Sequence, residues 1–116
     1  MESALICSST DKGRAFLAEL LKANLFTEIT TVQSGAEARS LLIQKDFELV
    51  IINAPLKDES GEELSIRAAD ISLAGVLLIV KAENADDVFA KVEDYGVVVL
   101  PKPFSRGMFF QTLKLM

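Results

Sequence analysis

The sequence contains no histidine and only one cysteine, Cys7. Without histidine, and with Cys7 inside an apolar run, the chain offers no pair of nucleophile and general base. A single cysteine also excludes a disulfide framework and favours a reducing compartment. A glycine-rich phosphate loop is missing after the first apolar run, where Ser8-Ser9-Thr10-Asp11 stands instead. We therefore expect a cytoplasmic protein that is not an enzyme and needs no cofactor.

Basic residues and long hydrophobic runs are also scarce. The chain has 12 basic and 17 acidic residues, a net charge of −5, and no basic cluster. This balance argues against a nucleic-acid-binding surface within this segment. The longest apolar runs, such as Val76–Val80, are far too short to cross a bilayer, and the N-terminus has no signal-peptide pattern. We expect a soluble protein.

The remaining composition suits a packed globular domain, because half of the 116 residues are hydrophobic and a quarter are charged. No linker or repeat interrupts the pattern, so residues 1–116 are predicted to form one domain. Short apolar runs rich in branched side chains are typical of parallel strands covered on both faces. They predict buried strands at Ala4–Cys7, Leu49–Ile52, Val76–Val80 and Val97–Leu100. Glu28–Val32 alternates polar and apolar residues, which is typical of an edge strand.

Helical spacing fills the gaps between these strands. Ser9 or Thr10 can cap a first helix whose apolar stripe is Phe16, Leu17, Leu20 and Leu21. Ser34, with Glu37 three residues later, predicts a second helix through a capping-box spacing. Further helices are predicted at 61–71, between Asn84 and Asp94, and from Ser105 to the end. Five β-α repeats predict an α/β fold, a doubly wound parallel sheet with its site at the carboxyl ends of the strands.

Three features at those strand ends occur in a specific combination. Asn53 ends an apolar run, Gly61 follows eight positions later, and the last strand leads into Lys102-Pro103-Phe104. This combination resembles the receiver domain of bacterial two-component response regulators over nearly the whole chain. The resemblance implies a flavodoxin-like five-stranded sheet of order 2-1-3-4-5 and a module derived from phosphorelay signalling. It also implies a cis peptide bond before Pro103, since X-Pro bonds adopt the cis form at low cost.

The chain departs from the family at the residues that carry its chemistry. The family accepts a phosphoryl group on an aspartate where this chain has Asn53, and an amide is a very poor nucleophile. Ser8 and Ser9 stand where the family has two acidic residues that hold Mg²⁺, a metal that favours carboxylate oxygens. Lys81 replaces a hydroxyl residue and Val99 replaces an aromatic one, so only Lys102 is left of the active residues. The chain is interpreted as a degenerate pseudo-receiver with no metal site.

The roles of the individual polar residues stay open at this point. Asn53 is expected to be a buried amide that bonds to loop backbone, and Ser8 and Ser9 to finish the strand and cap the helix. Lys81 and Lys102 either rest their stems on the sheet edge with their heads in water, or hold an anion between them.

The C-terminal helix has more apolar surface than one contact face requires. Phe109, Leu113 and Met116 form one stripe, whereas Met108, Phe110 and Leu115 fall outside it. A helix that is apolar on more than one face favours a protein partner or a homodimer. The same segment resembles receivers that are joined to an RNA-binding antiterminator module, the ANTAR group.

Two functions follow from these observations. The first is a phosphorylation-independent signalling module that acts through protein contacts, with control of transcription antitermination as one output. The alternative is a domain that senses an anion or small metabolite through Lys81 and Lys102.

Overall fold

The computed structural model describes residues 2–116. Within them five parallel strands form one sheet of order β2-β1-β3-β4-β5, which confirms the predicted doubly wound topology. The strands are β1 (Ser3–Ser8), β2 (Glu28–Val32), β3 (Leu49–Asn53), β4 (Gly75–Lys81) and β5 (Val98–Lys102). The helices are α1 (Asp11–Ala23), α2 (Gly35–Gln44), α3 (Gly61–Ile71), α4 (Ala85–Val92) and α5 (Arg106–Leu115). No helix of the described chain is long and apolar enough to cross a membrane.

The two faces of the sheet carry separate hydrophobic cores because successive strand residues point to opposite sides. On one face, Leu5, Val50 and Leu78 pack with side chains of α2, α3 and α4. On the other face, Ile6 and Ile51 pack with side chains of α1 and α5. Cys7 lies fully buried in the first of these cores, as predicted.

Two helices begin at a capping residue that the sequence predicted, Thr10 for α1 and Ser34 for α2. The hydroxyls of Thr10, Ser34, Ser60 and Ser105 each accept a hydrogen bond from the backbone N–H three residues later. Thr10 rather than Ser9 therefore caps α1. Such caps satisfy backbone donors that have no partner inside the helix.

Two sequence-based expectations about the core are wrong. The run 97–100 was expected to be a strand buried on both faces, but β5 is the second edge strand, and Val98 and Val99 are only partly buried. Its edge position also explains why Pro101 is tolerated inside the strand, since an edge strand can lose a backbone donor. Phe16 was assigned to the apolar stripe of α1, yet 43% of its surface is exposed.

Candidate functional site at the carboxyl edge of the sheet

Ser8, Asn53, Lys81 and Lys102 end four neighbouring strands, so the fold gathers them at one edge of the sheet, as the topology predicted. In the strand register Ser8 pairs with Asn53, and Lys81 pairs with Lys102. Ser8 is buried and Asn53 and Lys102 are half-buried, whereas Lys81 is exposed. The four residues therefore share a location but not an environment.

A short hydrogen-bond chain joins three of these side chains. The Asn53 amide nitrogen donates to Ser8 Oγ at 3.1 Å. Lys102 Nζ donates to Asn53 Oδ1 at 2.9 Å and to the Ala54 carbonyl at 2.6 Å. The expectation that Asn53 bonds to loop backbone is thus wrong, because both of its recorded partners are side chains. The Lys102 ammonium links the ends of β3 and β5 from a half-buried position. We call Ser8, Asn53 and Lys102 the strand-end network.

The electrostatics of Lys102 follow from this position. Its partial burial, and then the charge of neighbouring Lys81, lower the pKa of Lys102 below its ordinary value of 10.5. The four ion pairs of the described residues do not include Lys102. The network therefore contains one cation that is bound by neutral oxygens and not by a carboxylate.

The acidic residues nearest in sequence are engaged elsewhere. Asp58 accepts hydrogen bonds from the backbone N–H groups of Gly35 and Ala36, and these bonds lower its pKa. Glu59 forms a bidentate pair with Arg39, with Nη2 and Oε1 2.6 Å apart. Both carboxylates tie the loop after β3 to α2 and leave the strand-end network without an acid.

The start of α1 covers the other side of the network. The guanidinium of Arg14 donates to the Ser8 carbonyl at 2.7 Å and pairs with exposed Asp11. Asp11 therefore serves Arg14 and is not in contact with Asn53. Within residues 2–116 no group of three or more acidic, cysteine or histidine residues could hold a metal ion.

Glycine is required where α1 approaches the network. A Cβ at Gly13 would lie 2.5 Å from Ser8 Oγ, 2.9 Å from Thr10 Oγ1 and 3.1 Å from Asn53 Nδ2. Gly61 plays a comparable part at α3, where a Cβ would lie 2.9 Å from Ala54 Cβ. The glycine eight positions after Asn53 is therefore explained by close packing of α3 on the loop after β3.

Replacing Gly13 by alanine is expected to destabilise the fold by about 1–3 kcal/mol, because the new methyl group displaces both Ser8 and the Thr10 cap. Alanine in an open helical position has the opposite effect and stabilises by about 1 kcal/mol relative to glycine. Gly107 in α5 is the matched control, since its nearest atom, Ser105 Oγ, would lie 3.7 Å from the added Cβ. Urea denaturation of both variants measures the difference. Equal stabilisation by both substitutions would show that the contact at Gly13 is loose.

The peptide bond before Pro103 was predicted to be cis. The Lys102–Pro103 peptide bond is cis, as predicted, and the Ala54–Pro55 bond is also cis, which no sequence signal indicated.

Burial, followed by the nearby acidic side chains led by Asp58, raises the pKa of Cys7 to about 12. Its thiol donates to the Ser34 carbonyl at 3.4 Å. Cys7 is therefore an unreactive core residue, because the thiolate is the nucleophilic form.

The C-terminal helix exposes two of its three predicted contact residues. Met108 is 50% exposed and Leu115 is 79% exposed. Phe110 was predicted to lie outside the packed stripe, but its ring contacts Phe109 at 6.0 Å between centroids and packs partly into the core. The Arg106 guanidinium also lies over its face, 5.6 Å from the centroid. Phe110 is therefore in large part a structural residue.

Comparison with known structures identifies the class of fold. The chain is similar to a two-component response regulator from Clostridium difficile, with a TM-score of 0.86, 16% identity, and coverage of 99% of this chain and 94% of that one. The chemotaxis response regulator CheY4 of Vibrio cholerae gives a TM-score of 0.82 at 18% identity, covering 99% and 98% of the two chains. A CheY-like receiver domain from Methylobacillus flagellatus gives 0.84 at 20% identity, with the same coverage.

No protein-family model matches the sequence, and a search of curated proteins finds no match. The structural likeness nevertheless spans nearly the whole chain. The protein has the CheY-like receiver fold of two-component response regulators.

Proposed function

We propose that this domain is a non-enzymatic, receiver-like signalling module of the cytoplasm that works without phosphorylation, through contacts with other proteins. The observation that carries the proposal is the strand-end network. Where a receiver needs a nucleophilic carboxylate, this chain has an amide whose oxygen accepts from Lys102 and whose nitrogen donates to Ser8. An amide in these bonds offers no nucleophile to phosphorus.

The surroundings of Asn53 support the same conclusion. Phosphoryl transfer depends on electrostatic stabilisation of the transferred group, which receivers obtain from a bound Mg²⁺. Ser8 and Ser9 supply no carboxylate, and Asp58 and Glu59 are bonded to α2. Lys81, which stands where the family has a hydroxyl, is exposed. The domain therefore has neither the acceptor nor the metal ligands of a working receiver.

Wild-type protein is expected to show no Mg²⁺ binding at millimolar metal, because the metal prefers carboxylate and phosphate oxygens. The measurement is a set of amide spectra recorded with and without MgCl₂, and again with beryllofluoride present. Metal-dependent shifts confined to the loops after β1 and β3 would contradict the proposal. A uniform small shift, as ionic strength alone produces, would support it.

The second part of the proposal is homodimerisation through α5, with α4 and β5 as neighbouring surface. It is supported by the exposed apolar side chains of Met108 and Leu115. The wild-type chain is expected to sediment as a dimer at high micromolar concentration, and Leu115→Glu as a monomer. Ile43→Glu is the matched control, since Ile43 on α2 is 75% exposed, close to the 79% of Leu115. A monomeric wild type, or loss of the dimer in both variants, would disprove this part.

A finer proposal concerns the output of the module. The resemblance of the segment from Lys102 to Leu115 to receivers joined to an antiterminator supports an RNA-binding output that controls transcription antitermination. The net charge of −5 argues against direct RNA contact by residues 1–116. Transcription antitermination measured in vitro at an RNA hairpin, with and without this protein, tests this output. No effect of the protein would remove it.

A further inference from the structure

A cavity of about 250 Å³ opens beside the strand-end network, on the face of the sheet that α1 and α5 cover. Its walls are mainly apolar and come from Phe16, Leu17, Ile79 and Phe104. Two polar side chains, Asn53 and Lys102, also line it. The cavity therefore combines an apolar wall with one amide and one cation.

The apolar wall is made largely of aromatic rings. Phe16 and Phe104 are 6.3 Å apart between centroids, with their planes 37° apart. Phe104 is fixed from behind by Phe109, whose ring stacks on it at 5.7 Å. Phe16 keeps 43% of its surface exposed although it belongs to the apolar stripe of α1. A half-exposed ring facing a fixed ring provides surface for a third apolar or aromatic group.

The polar end of the cavity favours an anion. The Lys102 ammonium has three N–H donors, and two of them are used by Asn53 Oδ1 and Ala54 O. None of the ion pairs recorded for residues 2–116 provides Lys102 with a carboxylate. Lys81 adds a second positive charge one strand away. A partly buried cation with a remaining donor and a like-charged neighbour is stabilised by a bound negative charge.

We propose that this cavity binds a small aromatic carboxylate, with its ring against the exposed edges of Phe16 and Phe104 and its carboxylate on Lys102. The size fits this class, because sites for drug-sized ligands begin at about 300 Å³ and this cavity is smaller. This inference goes beyond the proposed action through protein contacts. It differs from an anion site shared by Lys81 and Lys102, because here Lys102 alone binds the carboxylate. Its failure would leave the proposed function untouched, since that is tested by phosphorylation and metal binding.

The experiment titrates the wild-type domain with benzoate and follows amide shifts. Saturable shifts are expected at Gly13, Phe16, Asn53 and Phe104. Acetate, which lacks the ring, and benzyl alcohol, which lacks the charge, are each expected to bind at least about tenfold more weakly, a difference of about 1.4 kcal/mol. Absence of saturable shifts with benzoate, or equal affinity for acetate, would overturn the proposal.

Two variants separate the ring contact from the charge contact. Phe16→Ala and Lys102→Met are each expected to weaken benzoate at least about tenfold. Phe89→Ala is the matched control and should bind like wild type, since Phe89 is 49% exposed, close to the 43% of Phe16, but lies on α4. Phe16 lies on the surface of α1, so Phe16→Ala is expected to fold. It therefore tests the site even if Lys102→Met is poorly folded. Unchanged affinity in Phe16→Ala, or equal loss in Phe89→Ala, would contradict the site.

Discussion

Lys102→Met is expected to lower the free energy of unfolding by about 1–2 kcal/mol, because it removes the donor for two acceptors at once. Asn53 Oδ1 and Ala54 O both receive hydrogen bonds from Lys102 Nζ, and both belong to residues that are only partly exposed. A desolvated acceptor that loses its partner costs about 1–3 kcal/mol. Water can reach a half-buried site, which places the expected loss in the lower part of that range. Urea denaturation near neutral pH measures it.

Lys81→Met is the matched control, since Lys81 pairs with Lys102 in the strand register but is exposed. Its removal leaves no recorded hydrogen bond broken and relieves the repulsion that lowers the Lys102 pKa. We expect no loss of stability, or a slight gain. Equal destabilisation by both substitutions would show that the strand-end network contributes nothing specific.

The pH dependence of the same variants gives an independent check. Because the fold lowers the pKa of Lys102, the unfolded chain binds more protons between the folded pKa and 10.5. The contribution of Lys102 to stability therefore rises as the pH rises through that interval. The difference in unfolding free energy between wild type and Lys102→Met should grow with pH over this range. A difference that shrinks with rising pH would contradict the assigned direction of the pKa shift.

The second large effect is the recovery of phosphorylation by four substitutions together. Asn53→Asp restores a nucleophile, but its carboxylate would accept from Lys102 at the position of Asn53 Oδ1, without a metal to neutralise the transferred group. The single variant is therefore expected to stay unlabelled by acetyl phosphate. Adding Ser8→Asp, Ser9→Asp and Lys81→Thr supplies metal ligands and the missing hydroxyl. A bound metal that stabilises the transition state by several kcal/mol corresponds to a labelling rate more than roughly a hundredfold higher than that of Asn53→Asp alone.

The control for this experiment is Asn53→Asp with Lys81→Thr alone, which carries the nucleophile and the hydroxyl but lacks the two new acids. It should remain unlabelled with or without Mg²⁺. Labelling of this double variant would mean that existing carboxylates form the metal site, with Asp11 and Asp58 the first to test. Failure of the quadruple variant, with its fold verified by amide spectra, would contradict the claim that missing metal ligands and a missing hydroxyl are what prevent phosphorylation.

The sequence predicted the sheet and the location of the site because both follow from patterns that are visible in the sequence without knowing which residues are in contact. Apolar runs define the strands, and parallel topology then brings Asn53, Lys81 and Lys102 to one edge. No pattern in the sequence indicates which side chains form hydrogen bonds with each other. The bond from Lys102 to Asn53 joins residues 49 positions apart, and only the folded chain shows that Lys102 reaches across to β3.

Other misses have similar physical causes. Helical spacing assigned Phe16 to the apolar stripe of α1 and Phe110 to the free face of α5, but Phe16 is 43% exposed and Phe110 packs partly against the core. A ring at the margin of such a stripe, such as Phe110, packs wherever a neighbour is near. Gly13 gave no signal, because a glycine in the first helical turn has the same sequence context whether or not a side chain presses on it. Its contacts with Ser8 and Asn53 appear only in three dimensions.

The most direct test of the central claim is intact-mass analysis of wild-type protein and Asn53→Asp after incubation with acetyl phosphate and Mg²⁺. The strand-end network predicts that neither protein gains the mass of a phosphoryl group, while the quadruple variant measured in parallel does. A gain of phosphoryl mass by the wild type, or efficient labelling of the single variant, would contradict it.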